Sequence, residues 1–111
     1  MAQEEPVVVI DLIGEVDIST LDDVKKSVME AVNSQVAVIV NCSDCEFVDS
    51  STLGMFMEAR EGVSSHGKQF MLVAPPSGAV RSIIEMARLD SILSVCDSLE
   101  EAQTRLEGDA L

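Results

Sequence analysis

Three groups of side chains in this sequence have the types and spacing to do chemistry. The first is Asp49-Ser50-Ser51-Thr52, a carboxylate and three hydroxyls at the point where a strand-like apolar pattern gives way to a helical one. Asp, Ser and Thr accept bonds from the unpaired N–H groups of a helix's first turn, and the same helix end attracts anions. The segment therefore fits either an ordinary N-cap or a site for a phosphate, bound or covalent. The second group is Cys42-Ser43-Asp44-Cys45. A C-x-x-C acts as a dithiol when a helix N-terminus stabilises its first thiolate, whereas here Glu46, Phe47 and Val48 follow and read as a loop or short strand. A zinc site would need further ligands, and neither Cys96 nor His66 has a ligand-like neighbour, so no metal is expected. Third is His66, in the polar run Ser64-Ser65-His66-Gly67-Lys68. A hydrolase would need that histidine beside a presented nucleophile, and no G-x-S-x-G elbow occurs. Two partly buried thiols and a solvated loop histidine account better for these residues. Gly14, Gly54, Gly62 and Gly67 are too scattered for a dinucleotide fingerprint or a Walker loop, so no catalytic residue and no cofactor is assigned.

The elements that must position these residues follow from hydrophobic periodicity. Val7 to Ile13 is rich in β-branched residues and ends at Gly14, which predicts a buried strand followed by a turn over Gly14-Glu15-Val16-Asp17. Ser19 or Thr20 is placed to cap a helix with Leu21, Val24, Val28, Ala31 and Val32 on one face and Asp22 and Asp23 in its first turn. Val36 to Val40 is continuously apolar, as in a central strand covered on both faces. The Asp49 segment opens a helix carrying Leu53, Phe56, Met57, Arg60 and Val63 on one side, ending near Ser64 to Gly67. Met55 falls on another side of that helix and is the candidate for an adaptable contact beside the turn. A strand over Gln69 to Ala74 stops at Pro75-Pro76 and leads to a helix with Val80, Ile83, Ile84 and Ala87 inward. Ser91 to Val95 reads as a fourth strand, and Ser98 with Glu101 has capping-box spacing for a last helix carrying Leu99, Ala102 and Leu106 inward.

This alternation predicts an α/β fold with a mainly parallel central sheet of about four to five strands and about four helices. A single domain over residues 1–111 is expected, flexible at 1–5 and 108–111. Acidic side chains outnumber basic ones 20 to 7, and the formal charge of −13 disfavours nucleic acid or an anionic membrane while leaving a basic protein partner compatible. No run is long enough to span a membrane, and the Met-Ala-Gln-Glu-Glu-Pro start has no basic n-region of a signal peptide. Three Cys then fit reduced thiols, and a cytoplasmic location is expected.

Two stretches in register carry a family resemblance. Gly14-Glu15-Val16-Asp17, with Thr20 and Leu21, resembles the G-E-L-D…T…L element of the STAS domain, and Phe47-Val48-Asp49-Ser50-Ser51-Thr52-Leu53-Gly54 is similar to its D-S-S-G-L-G or D-S-T-G-L-G phosphorylation segment. The spacing between them and the later order of elements extend the resemblance over nearly the whole chain. The most similar branch is the single-domain bacterial anti-sigma factor antagonist. That resemblance implies a regulator and not an enzyme: unphosphorylated, it binds an anti-sigma factor that is also a serine kinase and so releases a sigma factor for transcription. It further implies Ser50 as the phosphate acceptor, a serine phosphatase that reverses the event, and a partner surface including Glu15, Asp17, Asp49, Ser51, Thr52, Gly54 and Met55. Thr52 stands where the family usually has Gly, which adds a β-branched side chain at the kinase-facing turn, and the segment before Gly14 leaves little room for the family's frequent extra N-terminal strand. The alternative implication is a STAS scaffold, of stressosome or lipid-transport type, without a phosphorylation switch. A small redox enzyme using Cys42 and Cys45 is a third class.

Overall fold

A computed structural model describes residues 6–109. Strands and helices alternate as β1 (Val7–Val16), α1 (Leu21–Asn33), β2 (Ala37–Val48), α2 (Ser50–Ser65), β3 (Phe70–Val73), α3 (Ala79–Met86), β4 (Val95–Cys96) and α4 (Leu99–Asp109). The four strands form one sheet in the order β1-β2-β3-β4, and every pairing is parallel. The α/β architecture expected from the alternation is thus the observed one. Residues 1–5 and 110–111 of the expected flexible ends lie outside the described residues, whereas Gly108 and Asp109 complete α4.

The apolar run of β2 shows why the sheet needs helices on both sides. Val38 and Val40 join one buried cluster, with Val28, Phe56, Val63 and Ile84 from α1, α2 and α3. Ala37 and Ile39 point the other way into a second cluster with Ala102 and Leu106 from α4. Consecutive residues of a strand face opposite sides, so a continuous apolar run is what a doubly covered strand requires. Phe56 is wholly buried at the centre of the larger cluster, a burial that contributes about 1.5–3 kcal/mol.

Several boundaries differ from the periodicity reading. β1 is an edge strand, partly exposed along its length, and continues through Gly14 to Val16 instead of stopping there. β2 runs on through the C-x-x-C to Val48, and its register against β1 shifts between Asp11 and Ile13 and again between Gly14 and Glu15. Each shift places an extra residue in β2, a β-bulge, and Gly14 takes a φ of 75° at the second, a conformation that L side chains rarely adopt. β4 is shorter and later than expected, at Val95–Cys96, because Ser91 to Ser94 form turns. Ala87, expected inward on α3, is exposed. Thr20 occupies the N-cap of α1 without a side-chain cap bond; its hydroxyl accepts instead from the Asp17 N–H at 3.2 Å. The capping geometry at α4 is formed, with the Glu101 N–H donating to Ser98 Oγ at 3.1 Å.

Candidate functional site

The parallel pairing of β1 and β2 builds the site at the carboxyl ends of these strands. Val16 pairs with Val48, so the residues that follow, Asp17 and Asp49, emerge side by side, and Asp17 feels the charge of Asp49. Glu15, paired with Phe47, is exposed beside them. Asp49 caps α2 in an extended conformation, its Oδ1 accepting from the Thr52 N–H at 3.0 Å and from the Ser51 hydroxyl at 2.7 Å. The bond from the Thr52 N–H satisfies a donor that a helix start leaves unpaired. Ser50, the first residue of α2, is exposed and its hydroxyl makes no hydrogen bond among the described residues. Gly54 is exposed one turn further along.

Two residues expected on the partner surface face inward. Thr52 is wholly buried, with its hydroxyl 3.2 Å from the Val16 carbonyl oxygen and 2.9 Å from Asp49 Oδ1. Met55 is 2% exposed and packs in the large cluster. Both orientations follow from α1, which covers the flank of α2 and widens its buried face to Thr52, Met55, Phe56, Ala59 and Val63. Close approach of the two helices is possible because Gly62 has no side chain: a Cβ there would lie 2.6 Å from Val32 Cγ1. Thr52 therefore adds no side chain to the exposed turn, and Met55 offers none.

The Ser51 hydroxyl first, then the Thr52 N–H and hydroxyl and the Ile18 N–H, hold the Asp49 carboxyl below its ordinary range. Asp17 is lowered in the same way, chiefly by the Ser19 hydroxyl and N–H. A carboxyl with a depressed folded pKa stabilises the fold fully above its unfolded value of about 3.9 and loses that contribution as pH falls through the folded value. Asp49→Asn is therefore expected to destabilise the protein most at neutral pH, with the gap to wild type closing on acidification. Urea unfolding of both proteins between about pH 7 and pH 3 measures it, and a gap independent of pH would refute the carboxylate's role.

Beside Ser50 lies an apolar groove that the sequence reading did not anticipate. It is lined by Phe47, Val48, Leu53, Ile83, Met86 and Ala87, with Asp49 and Ser50 at its rim. Met86 is 85% exposed and Phe47 43%, and Ile18, in the turn between β1 and α1, is 78% exposed. The signal was present in Met86, which lies off the inward face of α3, and in Phe47, which the bulged strand turns outward.

The C-x-x-C lies in β2 with both thiols buried. Hydrogen bonding from Cys42 lowers Cys45 to about 7, and the same contact together with burial pushes Cys42 up. The motif lies within a strand and does not itself open a helix, the placement that activates a dithiol motif. His66 stands exposed at the C-cap of α2. Among the described residues, no three or more His, Cys, Asp or Glu are grouped to hold a metal, and no helix is long and apolar enough to cross a membrane.

An exposed hydroxyl on a capped helix start thus stands at the rim of an apolar groove. The chain belongs to the STAS domain family, whose family model matches residues 1–102. It is 27% identical over 109 residues to the anti-sigma F factor antagonist of Paenibacillus polymyxa, covering 96% of this chain and 92% of that protein. A Thermotoga neapolitana protein provisionally named an anti-sigma factor antagonist is 32% identical over 71 residues, or 64% of this chain. The chain spans only 62% of the length of that relative. Among solved structures, the anti-sigma factor antagonist SpoIIAA in its unphosphorylated form superposes with a TM-score of 0.70 at 25% identity, covering 97% of this chain and 94% of that one. SpoIIAA, described as a Bacillus cell fate determinant, has also been solved in its phosphorylated form.

Proposed function

We propose that this protein is an anti-sigma factor antagonist, binding an anti-sigma factor that is also a serine kinase and losing that partner when Ser50 is phosphorylated. A serine phosphatase restores the binding form, and the cycle belongs to the cytoplasm. The observation that carries the reading is the position of Ser50, exposed at the first residue of α2 and on the rim of the apolar groove. Apolar surface of that kind is removed from water when a partner packs on it. A phosphate added at Ser50 brings nearly two negative charges to the edge of that contact. The helix N-terminus tolerates those charges, so the protein keeps its fold while the interface loses complementarity. Glu15 and Gly54 are exposed and Asp17 half-buried around the same turn, and Asp49 and Ser51 hold the turn in shape.

The relatives named as antagonists, and the solution of SpoIIAA in both phosphorylation states, support the same reading. Incubation with the cognate anti-sigma kinase and ATP is expected to place one phosphate on Ser50, located by mass spectrometry, and none on Ser50→Ala. Phosphate on Ser51 or Thr52 in the wild type, or undiminished labelling of Ser50→Ala, would overturn the assignment.

A further inference from the structure

We propose that the end of the molecule opposite Ser50 holds a binding site for a small organic phosphate. A cavity of about 540 Å³ opens there, where β3 begins, β4 is about to begin and α2 ends. Arg60 and Ser64 reach it from α2, Lys68 and Gln69 from the loop before β3, Ser94 from the turn before β4, and Arg105 from α4. Three of the chain's seven basic residues thus line one cavity in a protein of formal charge −13, and no carboxylate lines it among the described residues. Elsewhere on so acidic a surface cations meet carboxylates: Lys25 pairs with Glu58, and Arg81 with Glu85 and Asp97.

Arg105 is already engaged, by Glu101 at 2.6 Å. Arg60 and Lys68 are different. Both are half-buried, and among the described residues neither side chain makes an ion pair or a hydrogen bond. A cation partly withdrawn from water without a counter-charge is unfavourable, and an anion between the two relieves it. A guanidinium matches phosphate oxygens with paired donors, and an ammonium adds a mobile point charge. The hydroxyls of Ser64 and Ser94 and the Gln69 amide supply neutral donors around the same space. The volume lies within the roughly 300–1,000 Å³ typical of ligand pockets and exceeds what inorganic phosphate alone would fill, which points to an organic body attached to the phosphate. Two helices, the start of β3, a loop and a turn build the site, and it shares α2 with Ser50 while lying at the other end of that helix.

The test uses ribose 5-phosphate as the probe, with ribose and inorganic phosphate as controls, followed by amide chemical shifts of the whole chain. Ribose 5-phosphate is expected to give saturable shifts at Ser64, Lys68, Gln69 and Ser94, tighter than inorganic phosphate, and ribose none. Arg60→Gln with Lys68→Gln is expected to weaken binding at least tenfold, about 1.4 kcal/mol, while Ser50→Ala leaves it unchanged. Neither substituted side chain holds the fold by a bond, and an unchanged amide spectrum of the free variant verifies that. Absence of saturable shifts at millimolar probe, shifts confined to the Ser50 end, or equal affinity in the double variant would each overturn the proposal.

Discussion

Ser50→Asp is expected to lower affinity for the anti-sigma factor by about 100-fold or more, which is a loss of about 2.8 kcal/mol of binding free energy. Ser50→Ala is expected to bind within a few-fold of wild type. The size follows from what surrounds the residue. Phe47, Leu53, Ile83 and Met86 give the groove an apolar lining, and a partner that packs there excludes water from its rim. A carboxylate at the rim must then be desolvated, at a cost of several kcal/mol unless the partner supplies a counter-charge. Asp17 and Asp49 stand beside Ser50, so a new negative charge also meets two carboxylates held ionised by their hydrogen bonds. Phosphate carries nearly twice the charge of aspartate, and the substitution therefore sets a lower bound on the effect of modification. Met86→Ala is the complementary probe: at 85% exposure its loss leaves stability unchanged, while groove contact predicts weaker binding. Calorimetric titration against the purified anti-sigma factor reads all three variants. Equal affinity of Ser50→Asp and wild type would remove the switch from this residue.

How much of this was legible in the sequence depends on which forces act locally. Helices α1 and α4 were readable because their inward residues recur at helical spacing, and the central position of β2 because Val36 to Val40 has no polar face to expose. Asp49 was readable as a cap because capping is settled within one turn. The second half of β2 was not. Cys42, Cys45 and Val48 all face the core at intervals of three, a spacing that strand alternation forbids and that the two register shifts against β1 produce. The edge position of β1 was likewise invisible, since an apolar run does not reveal how many neighbours it has. Inward rotation of α2, which buries Thr52 and Met55, is set by α1 lying against Gly62, a contact between residues 30 apart in sequence (Val32 and Gly62). The groove beside Ser50 joins α2 to α3 across β2, and no local pattern announces such a junction.

Thr52→Val is expected to destabilise the protein by about 1–3 kcal/mol, the cost of removing a buried hydrogen-bonding partner while keeping the side-chain shape. The hydroxyl of Thr52 stands between the last carbonyl of β1 and the cap of α2, two pieces of chain 36 residues apart. It carries a single proton, which is donated either to the Val16 oxygen or to Asp49 Oδ1. Asp49 Oδ1 also accepts from the Ser51 hydroxyl and the Thr52 N–H, so the bond to Val16 is the one by which the Thr52 hydroxyl ties α2 to β1. Valine leaves that carbonyl facing a methyl group in a wholly buried site. Thr52→Ser retains the hydroxyl and is expected to recover most of the loss, whereas Thr52→Gly loses the bond and adds a helix cost of about 0.3 kcal/mol over threonine. A loss of 1 kcal/mol lowers Tm by roughly 4–8 °C in a domain of about this size, so thermal melts separate the three variants. If Val and Ser melted together with the wild type, the hydroxyl would be dispensable and Thr52 only a packing residue. Phosphorylation gives an independent reading. Because the Thr52 side chain points into the protein, Thr52→Gly is expected to leave Ser50 as the acceptor, and a shift of phosphate to another hydroxyl would show that the buried bond positions the turn for its kinase.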